Sequence, residues 1–294
     1  MTRSDELRTA AERLVARIPA DIALEVVVTG SVSRGVADDV SDVEMLLVTR
    51  DLLDLETCFA LAAAAGLERL GSWGPQGPET SRVSGYFEGI PFELIWWSRD
   101  YADAAINPES PAADAIANGV SLRTSGLLAV WHERLSVYPE ALAAERIEDA
   151  ALTWGGFAAA GLLTIARPGE RLSLVERLVD DAVRVLQMVY AINKRWQPTT
   201  KRVAQRAEGL AVKPDRLAAR IEEALTEPDP YRALAVMTQL QFDTVALAPS
   251  GPNVDRARAW LTEALAIVQA AAGSSGAIAA SSPSTEASIP ASGS

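Results

Sequence analysis

The character of the chain changes near Tyr101. Before it, short β-branched or apolar runs alternate with glycine- and proline-containing turns, which is typical of strands with flanking helices. Beyond it, long alanine- and leucine-rich segments dominate, at 140–166, 172–195, 213–226, 229–246 and 252–272. From Gly273 onward, mostly small residues bury too little apolar surface to fold. We therefore predict the α+β class, with a small mixed-sheet domain over 1–100, a helical domain over 101–272 and a disordered tail over 273–294.

The first hundred residues have a pattern that predicts four or five short strands with helices beside them. The predicted helices cover 4–17 and 55–65, and the clearest strands cover 22–28, 43–48, 82–88 and 91–97. Glu88-Gly89 separates the last two strands and predicts a tight hairpin turn. The glycines and prolines between Gly71 and Pro78 predict a loop.

Composition excludes several classes of site. A single cysteine, Cys58, rules out an internal disulfide and a cysteine-rich metal site, and its apolar surroundings predict a buried, inert thiol. A single histidine, His132, rules out a histidine-cluster zinc site. The chain has no apolar signal core near its start and no run long enough to span a membrane, which predicts a cytoplasmic protein. Its net charge of −12 disfavours a polynucleotide partner and suits a small, cationic one.

One motif carries the chemistry. An apolar strand leads into Gly30-Ser31, ten residues intervene, and Asp42-Val43-Glu44 opens a second apolar strand. Side chains two residues apart on a strand share a face, so Asp42 and Glu44 point into one site while Val43 points into the core. Carboxylate oxygens are the ligands that Mg²⁺ prefers, and nucleotide transfer uses two such ions about 3.5–4 Å apart. Gly30 lets the backbone approach a triphosphate closely, and Ser31 adds a hydroxyl. Alternating acids on a solvated strand are the alternative interpretation.

These residues resemble the signature of the DNA polymerase β-like nucleotidyltransferase superfamily: Gly-Gly or Gly-Ser, about ten residues, then Asp-x-Asp or Asp-x-Glu. Gly30 to Arg34 and Ser41 to Met45 are particularly similar to the kanamycin and other aminoglycoside nucleotidyltransferases. The similarity covers residues 22–99. It implies a transferase that uses two Mg²⁺ ions and a nucleoside triphosphate, most simply ATP. It also implies a third carboxylate on a later strand, where Glu93 stands; Glu93 facing water on an edge strand is the alternative.

The resemblance also implies roles for these residues. Asp42 and Glu44 would hold both Mg²⁺ ions, Glu93 would support the ion that activates the acceptor hydroxyl, and Ser31 and Arg34 would hold the triphosphate. In-line attack of the acceptor on the α-phosphorus would release pyrophosphate.

The helical region adds candidates of lower specificity. The basic segment 193–202 contains a tryptophan and is similar to an Asn-x-x-Trp-x-Pro…Lys element of some bacterial relatives. Lys194 or Lys201 would then neutralise the β- and γ-phosphates; cations gathered at a helix C-terminus are the alternative. The resemblance further implies a general base from this region. No residue matches by motif, and Asp180 is the candidate against a solvated helix face.

The sequence therefore predicts transfer of a nucleoside monophosphate, AMP first, to a hydroxyl of a small molecule, such as an aminoglycoside-like antibiotic. Modification of a protein or tRNA, as in toxin–antitoxin systems, and a non-catalytic nucleotide-binding regulator are the alternatives. By analogy with the family, a homodimer is a further expectation.

Overall fold

The computed structural model describes residues 1–72, 80–110 and 112–280, and only the backbone of 275–280. The chain divides into two compact units, Met1–Pro139 and a second that begins at Glu140. Each has its own apolar core. Among the described residues, no helix combines the length and apolar character needed to cross a membrane.

The first unit is an α+β unit built on one sheet. Its described strands are β1 (Ala23–Val28), β2 (Val43–Thr49), β3 (Glu68–Ser72), β4 (Thr80–Phe87), β5 (Ile90–Ser98) and β6 (Val120–Arg123). Its described helices are α1 (Arg3–Val15), α2 (Gly30–Ser33), α3 (Leu55–Ala64), α4 (Arg99–Ala105), α5 (Ala113–Ala117) and α6 (Leu127–Leu135).

The sheet is mixed, with the strand order β3-β4-β5-β2-β1-β6. The neighbours pair antiparallel except β2 and β5, which run parallel at its centre. One face is apolar because alternate residues of the central strands point the same way. Val43, Met45 and Leu47 of β2 lie in the core with Phe92, Leu94 and Trp96 of β5.

The hairpin between β4 and β5 closes with two residues, as the sequence predicts. Phe87 pairs with Ile90, and the turn residues Glu88 and Gly89 have φ of 53° and 78°. Positive φ at both central positions is the type I′ geometry, whose twist matches that of the flanking strands. The turn therefore fixes the register of β5 against β4.

The sequence predicts residues 101–139 as part of the helical domain, but they lie in the first unit. Strand β6 adds to the edge of the sheet beside β1, and a buried acid of β1 holds it there. Glu25 accepts hydrogen bonds from the Ser121 hydroxyl, from the Ser125 amide at 2.7 Å and from the Leu127 amide at 3.2 Å. A buried carboxylate needs such donors, so this segment and β1 stabilise each other.

The second unit is helical in its described residues. The helices are α7 (Glu140–Leu152), α8 (Arg171–Ile192), α9 (Val203–Glu208), α10 (Leu217–Thr226), α11 (Pro230–Leu247) and α12 (Pro252–Ala280), with a 3₁₀ helix at Ala159–Ala166. The predicted segment 140–166 is not one helix, because α7 ends at Leu152 and Gly155 adopts φ of 109°. Only glycine takes such a backbone readily.

The predicted fold class is confirmed: a mixed sheet with flanking helices is followed by a helical region. Two parts of the prediction differ in detail. Gly71 and Ser72 of the predicted loop belong to β3, and residues 73–79 lie outside the described part. Residues 273–280 of the predicted tail continue α12, and residues 281–294 lie outside the described part.

Candidate active site

A glycine turn joins β1 to the one-turn helix α2. Gly30 has φ of 67°, a left-handed conformation that favours glycine. A Cβ atom at this position would lie 1.7 Å from Oε2 of Glu44, so the backbone of Gly30 lies directly against that carboxylate. The Thr29 amide donates to the carbonyl of Glu44 at 2.9 Å, which fastens the turn to β2. The position of the turn is therefore fixed relative to Glu44.

The parallel pairing of β2 with β5 places Glu44 directly opposite Glu93. Adjacent strands lie about 4.8 Å apart, so the two carboxylates stand close together on the same face of the sheet. Both acids are half-buried. Their neighbours Val43 and Phe92 point into the apolar core, so the acids lie on the opposite face of the sheet. Glu93 therefore lies on a central strand beside Glu44, not on a solvated edge strand.

Asp42 lies one residue before β2, is half-buried and stands two residues from Glu44. Within the described ranges, no three Asp, Glu, His or Cys side chains form a group that could hold a metal ion by themselves. Mg²⁺ usually takes only one or two protein carboxylates and completes its octahedral shell with phosphate oxygens and water. The pair Glu44 and Glu93 fits that demand.

Arg34, predicted to bind the triphosphate, is engaged with protein groups. Its guanidinium donates to the carbonyl of Gly30 at 2.9 Å and to the carbonyl of Asp114 at 3.2 Å, and it forms an ion pair with the carboxylate of Asp114. Ser31 is buried at the start of α2, and its carbonyl accepts from the Val36 amide at 3.0 Å. The structure thus brings together Gly30, Ser31, Arg34, Glu44 and Glu93 around one turn and two strands, and Asp42 directly precedes one of those strands.

Neither a protein-family model nor a curated protein matches this chain in sequence. Among solved structures, it is similar to a nucleotidyltransferase-like protein from Exiguobacterium sibiricum 255-15, at 15% sequence identity and a TM-score of 0.28, over 93% of this chain and 77% of that one.

Three predicted site residues belong to the second unit. Asp180 is exposed on α8 and pairs with Arg184 one turn later, at 2.9 Å. Lys194 forms an ion pair with Glu140, and Lys201 is exposed in a turn before α9. Asp180 and Lys194 thus have the partners that a solvated helix surface supplies, and their roles in catalysis and in phosphate binding remain predictions.

The buried acid on α8 is Asp181, next to the predicted Asp180. It accepts from the Trp154 indole at 3.1 Å and from the Arg177 guanidinium at 2.7 Å. Burial raises the pKa of its carboxyl above the usual range, although the charge of Arg177 opposes this. Asp181 lies at 2% exposure among the core residues of the second unit, which favours a structural role.

Sequence reasoning missed two acids of the first unit, Glu25 and Asp114. Each acts through residues far along the chain: Asp114 through Arg34, 80 residues away, and Glu25 through Ser125, 100 residues away. A local motif carries no signal for such pairs. A charged residue inside the apolar run 22–28 was the one available hint for Glu25.

Proposed function

We propose that the chain is a magnesium-dependent nucleotidyltransferase that moves a nucleoside monophosphate, AMP in the first instance, from a nucleoside triphosphate to a hydroxyl of a small molecule. The observation that carries this proposal is the pairing of Glu44 with Glu93 on adjacent parallel strands, with the backbone of Gly30 against the Glu44 carboxylate. Two acids that face each other on a central strand pair can both offer carboxylate oxygens to one cation, and Mg²⁺ prefers such ligands.

In the first unit, the acidic residues would bind the cation and the glycine turn would bind the phosphates. Glu44, Glu93 and Asp42 would supply carboxylate oxygens to Mg²⁺, which when bound would offset the charge of the triphosphate and polarise its α-phosphorus. Gly30 keeps side-chain atoms away from the face where phosphate must approach. Ser31 would offer its hydroxyl to a phosphate oxygen.

Transfer would then proceed by in-line displacement at the α-phosphorus. The acceptor oxygen forms a bond to the α-phosphorus as the bond from that phosphorus to the bridging oxygen breaks, and pyrophosphate leaves. The hydroxyl proton passes to a carboxylate base.

The acceptor that suits this protein is small and cationic. A net charge of −12 repels polynucleotide backbones and attracts polyamine-like molecules. An aminoglycoside-like antibiotic has this chemistry and carries several hydroxyls. Modification of a protein is compatible with the same charge, whereas tRNA is opposed by it.

The test is pyrophosphate release from each nucleoside triphosphate with Mg²⁺ and a panel of aminoglycosides, other amino sugars, proteins and tRNA. We expect release with at least one small hydroxylated acceptor, and a loss of about 100-fold or more in Glu44→Gln, since preorganised charge at the reacting group is worth at least this much. Wild-type rates in Glu44→Gln would contradict the proposal. Glu88→Gln is the matched control, because Glu88 is an exposed acid at the hairpin turn and pairs with Arg13.

A non-catalytic nucleotide-binding regulator is the second candidate. It is favoured by one observation, that no three acids of the described residues form a metal-binding group by themselves. Thermal stabilisation by MgATP without pyrophosphate release under any acceptor would establish it in place of the enzyme.

A further inference from the structure

One ion pair holds the glycine turn from outside the sequence motif. Arg34 follows α2 directly, and both of its terminal nitrogens have protein partners. Nη1 donates to the carbonyl of Gly30 at 2.9 Å, and Nη2 donates to the carbonyl of Asp114 at 3.2 Å while pairing with the Asp114 carboxylate. A single planar guanidinium thus joins α5 to the turn, a geometry that suits arginine and not lysine.

The pair is shielded from solvent. The side chains of Arg34 and Asp114 are 15% and 16% exposed, against 48% and 39% for the Arg13–Glu88 pair of the same unit. Shielded charges are screened weakly, and removing one partner leaves the other in a costly environment. Moving Arg34 to a phosphate would therefore impose that cost on Asp114.

The contact acts on the peptide group that lies against the proposed site. The carbonyl of Gly30 accepts from Arg34 and, at 3.2 Å, from the Ser33 hydroxyl. The α-carbon of the same residue faces the Glu44 carboxylate. The orientation of this residue sets the space beside Glu44, so a group that fixes the Gly30 carbonyl also fixes the entrance for phosphate.

We infer that Asp114 is a positioning residue, which acts through Arg34 to hold the Gly30 turn against Glu44, and that Arg34 is not a triphosphate ligand. The expected effect on nucleotide transfer rests on the proposed function. The expected effect on the conformation of the Gly30 turn rests on the geometry alone. It reassigns the role that the sequence predicts for Arg34.

The kinetic test compares Arg34→Gln, Asp114→Asn and the double variant in pyrophosphate release, with the nucleotide varied at saturating acceptor. We expect kcat to fall roughly 10- to 100-fold in each single variant, since small displacements of aligned groups cost this much. The KM for the nucleotide should stay within about threefold, and the double variant should be no worse than either single one. Arg34→Lys should be as impaired as Arg34→Gln, because an ammonium cannot span both partners.

A direct phosphate contact would give the opposite pattern. Arg34→Gln would then raise the KM for the nucleotide about tenfold or more with little change in kcat, as expected for lost ground-state binding, and Arg34→Lys would recover part of it. Asp114→Asn would lower that KM by releasing Arg34. This pattern would overturn the inference. Arg13→Gln and Glu88→Gln are the matched controls, since they break an arginine–carboxylate pair of the same unit at the hairpin turn.

Hydrogen exchange without nucleotide separates this inference from the proposed function. The amides of Thr29, Gly35 and Val36 are bonded to the carbonyls of Glu44, Val32 and Ser31 around the turn. Their exchange should speed up about tenfold or more in both Arg34→Gln and Asp114→Asn, because local opening becomes easier, and should not change in the controls. Unchanged exchange would overturn the inference, whatever the activity. Faster exchange in a protein that releases no pyrophosphate would remove the proposed function and leave the role of Asp114 in holding the turn.

Discussion

At the scale of single residues, Gly30 is required for two independent reasons. Its φ of 67° excludes most side chains on conformational grounds. Its hypothetical Cβ atom would stand 1.7 Å from Oε2 of Glu44, which excludes them on steric grounds as well. Gly89 shares the first property with φ of 78° but has nothing within 4 Å of a Cβ position. Substitutions at Gly30 and Gly89 can therefore distinguish the effect of backbone strain from the effect of a clash with the Glu44 carboxylate.

We predict that Gly30→Ala lowers pyrophosphate release by about 100-fold or more and destabilises the protein by roughly 1–3 kcal/mol, because the Glu44 carboxylate must move and the backbone is strained. Gly89→Ala should show the strain alone, with activity close to that of the wild type. Urea unfolding and initial rates measure both effects. Equal activity of the two variants would show that the space beside Glu44 does not matter.

Local patterns were sufficient for some of these residues and not for others. The glycine turn and the Asp-x-Glu pair are defined by spacing within about twenty residues, so the sequence predicts Gly30, Asp42 and Glu44. The position of Glu93 opposite Glu44 depends on strand pairing across 49 residues. Asp114 has no local signal, because its importance comes from Arg34, 80 residues away.

At the scale of elements, β6 attaches the middle of the chain to the sheet domain through an arginine. Arg123 donates to the carbonyls of Val15 and Ile18 at 2.7 Å each, and to those of Pro19 and Ala23 at 3.2 Å each. These carbonyls lie at the end of α1, in the connection that follows it and at the start of β1, where they would otherwise depend on few backbone donors such as the Ile18 and Ile22 amides. Burial lowers the pKa of Arg123 from its usual value. One side chain thus closes the end of α1 against the sheet.

We predict that Arg123→Met lowers the free energy of unfolding by about 2–4 kcal/mol, because several partly buried carbonyls lose a charged donor. Chemical denaturation followed by tryptophan fluorescence measures it, since Trp96 is fully buried in the same unit. Arg13→Gln on α1 is the control and should change the midpoint little, because the Arg13–Glu88 ion pair is exposed. A midpoint for Arg123→Met equal to that of the control would refute this account of β6.

The elements that the sequence missed are those with weak periodicity. Strand β6 has four residues, all half-buried, so no alternation marks it. Strand β3 is mostly polar and includes Arg69 at a φ of 51°, which interrupts the pattern. The hairpin of β4 and β5 was predictable because turn chemistry and alternation agree there. The parallel pairing of β2 and β5 was not, since pattern fixes a strand's faces and not its neighbour.

At the scale of the whole molecule, each unit has a separate core, and the first contains the single thiol. Cys58 lies at 0% exposure on α3, as the sequence predicts for a buried and inert cysteine. Burial raises its pKa to about 11, so the reactive thiolate is scarce at neutral pH. The thiol therefore reports on the integrity of the first unit.

We predict that a thiol reagent at pH 8 labels Cys58 only slowly in the native protein and completely in guanidinium chloride. The native rate should rise with pH towards 11, since deprotonation and opening both expose the thiolate. Mass spectrometry over time measures the labelled fraction. Arg123→Met should speed up labelling, whereas Arg13→Gln should not. Rapid native labelling at pH 8 would show that the core around α3 is open.

The two-residue hairpin has a consequence for how this chain can vary. Glu93 stands four positions after Gly89, and side chains alternate between the faces of a strand at every step. One inserted or deleted residue in the turn, carried into β5 as a slip, would send the acid into the apolar layer and bring a core residue out beside Glu44. Related chains can exchange the two turn residues for others that tolerate positive φ. The number of turn residues is constrained, because it determines which face of the sheet Glu93 occupies.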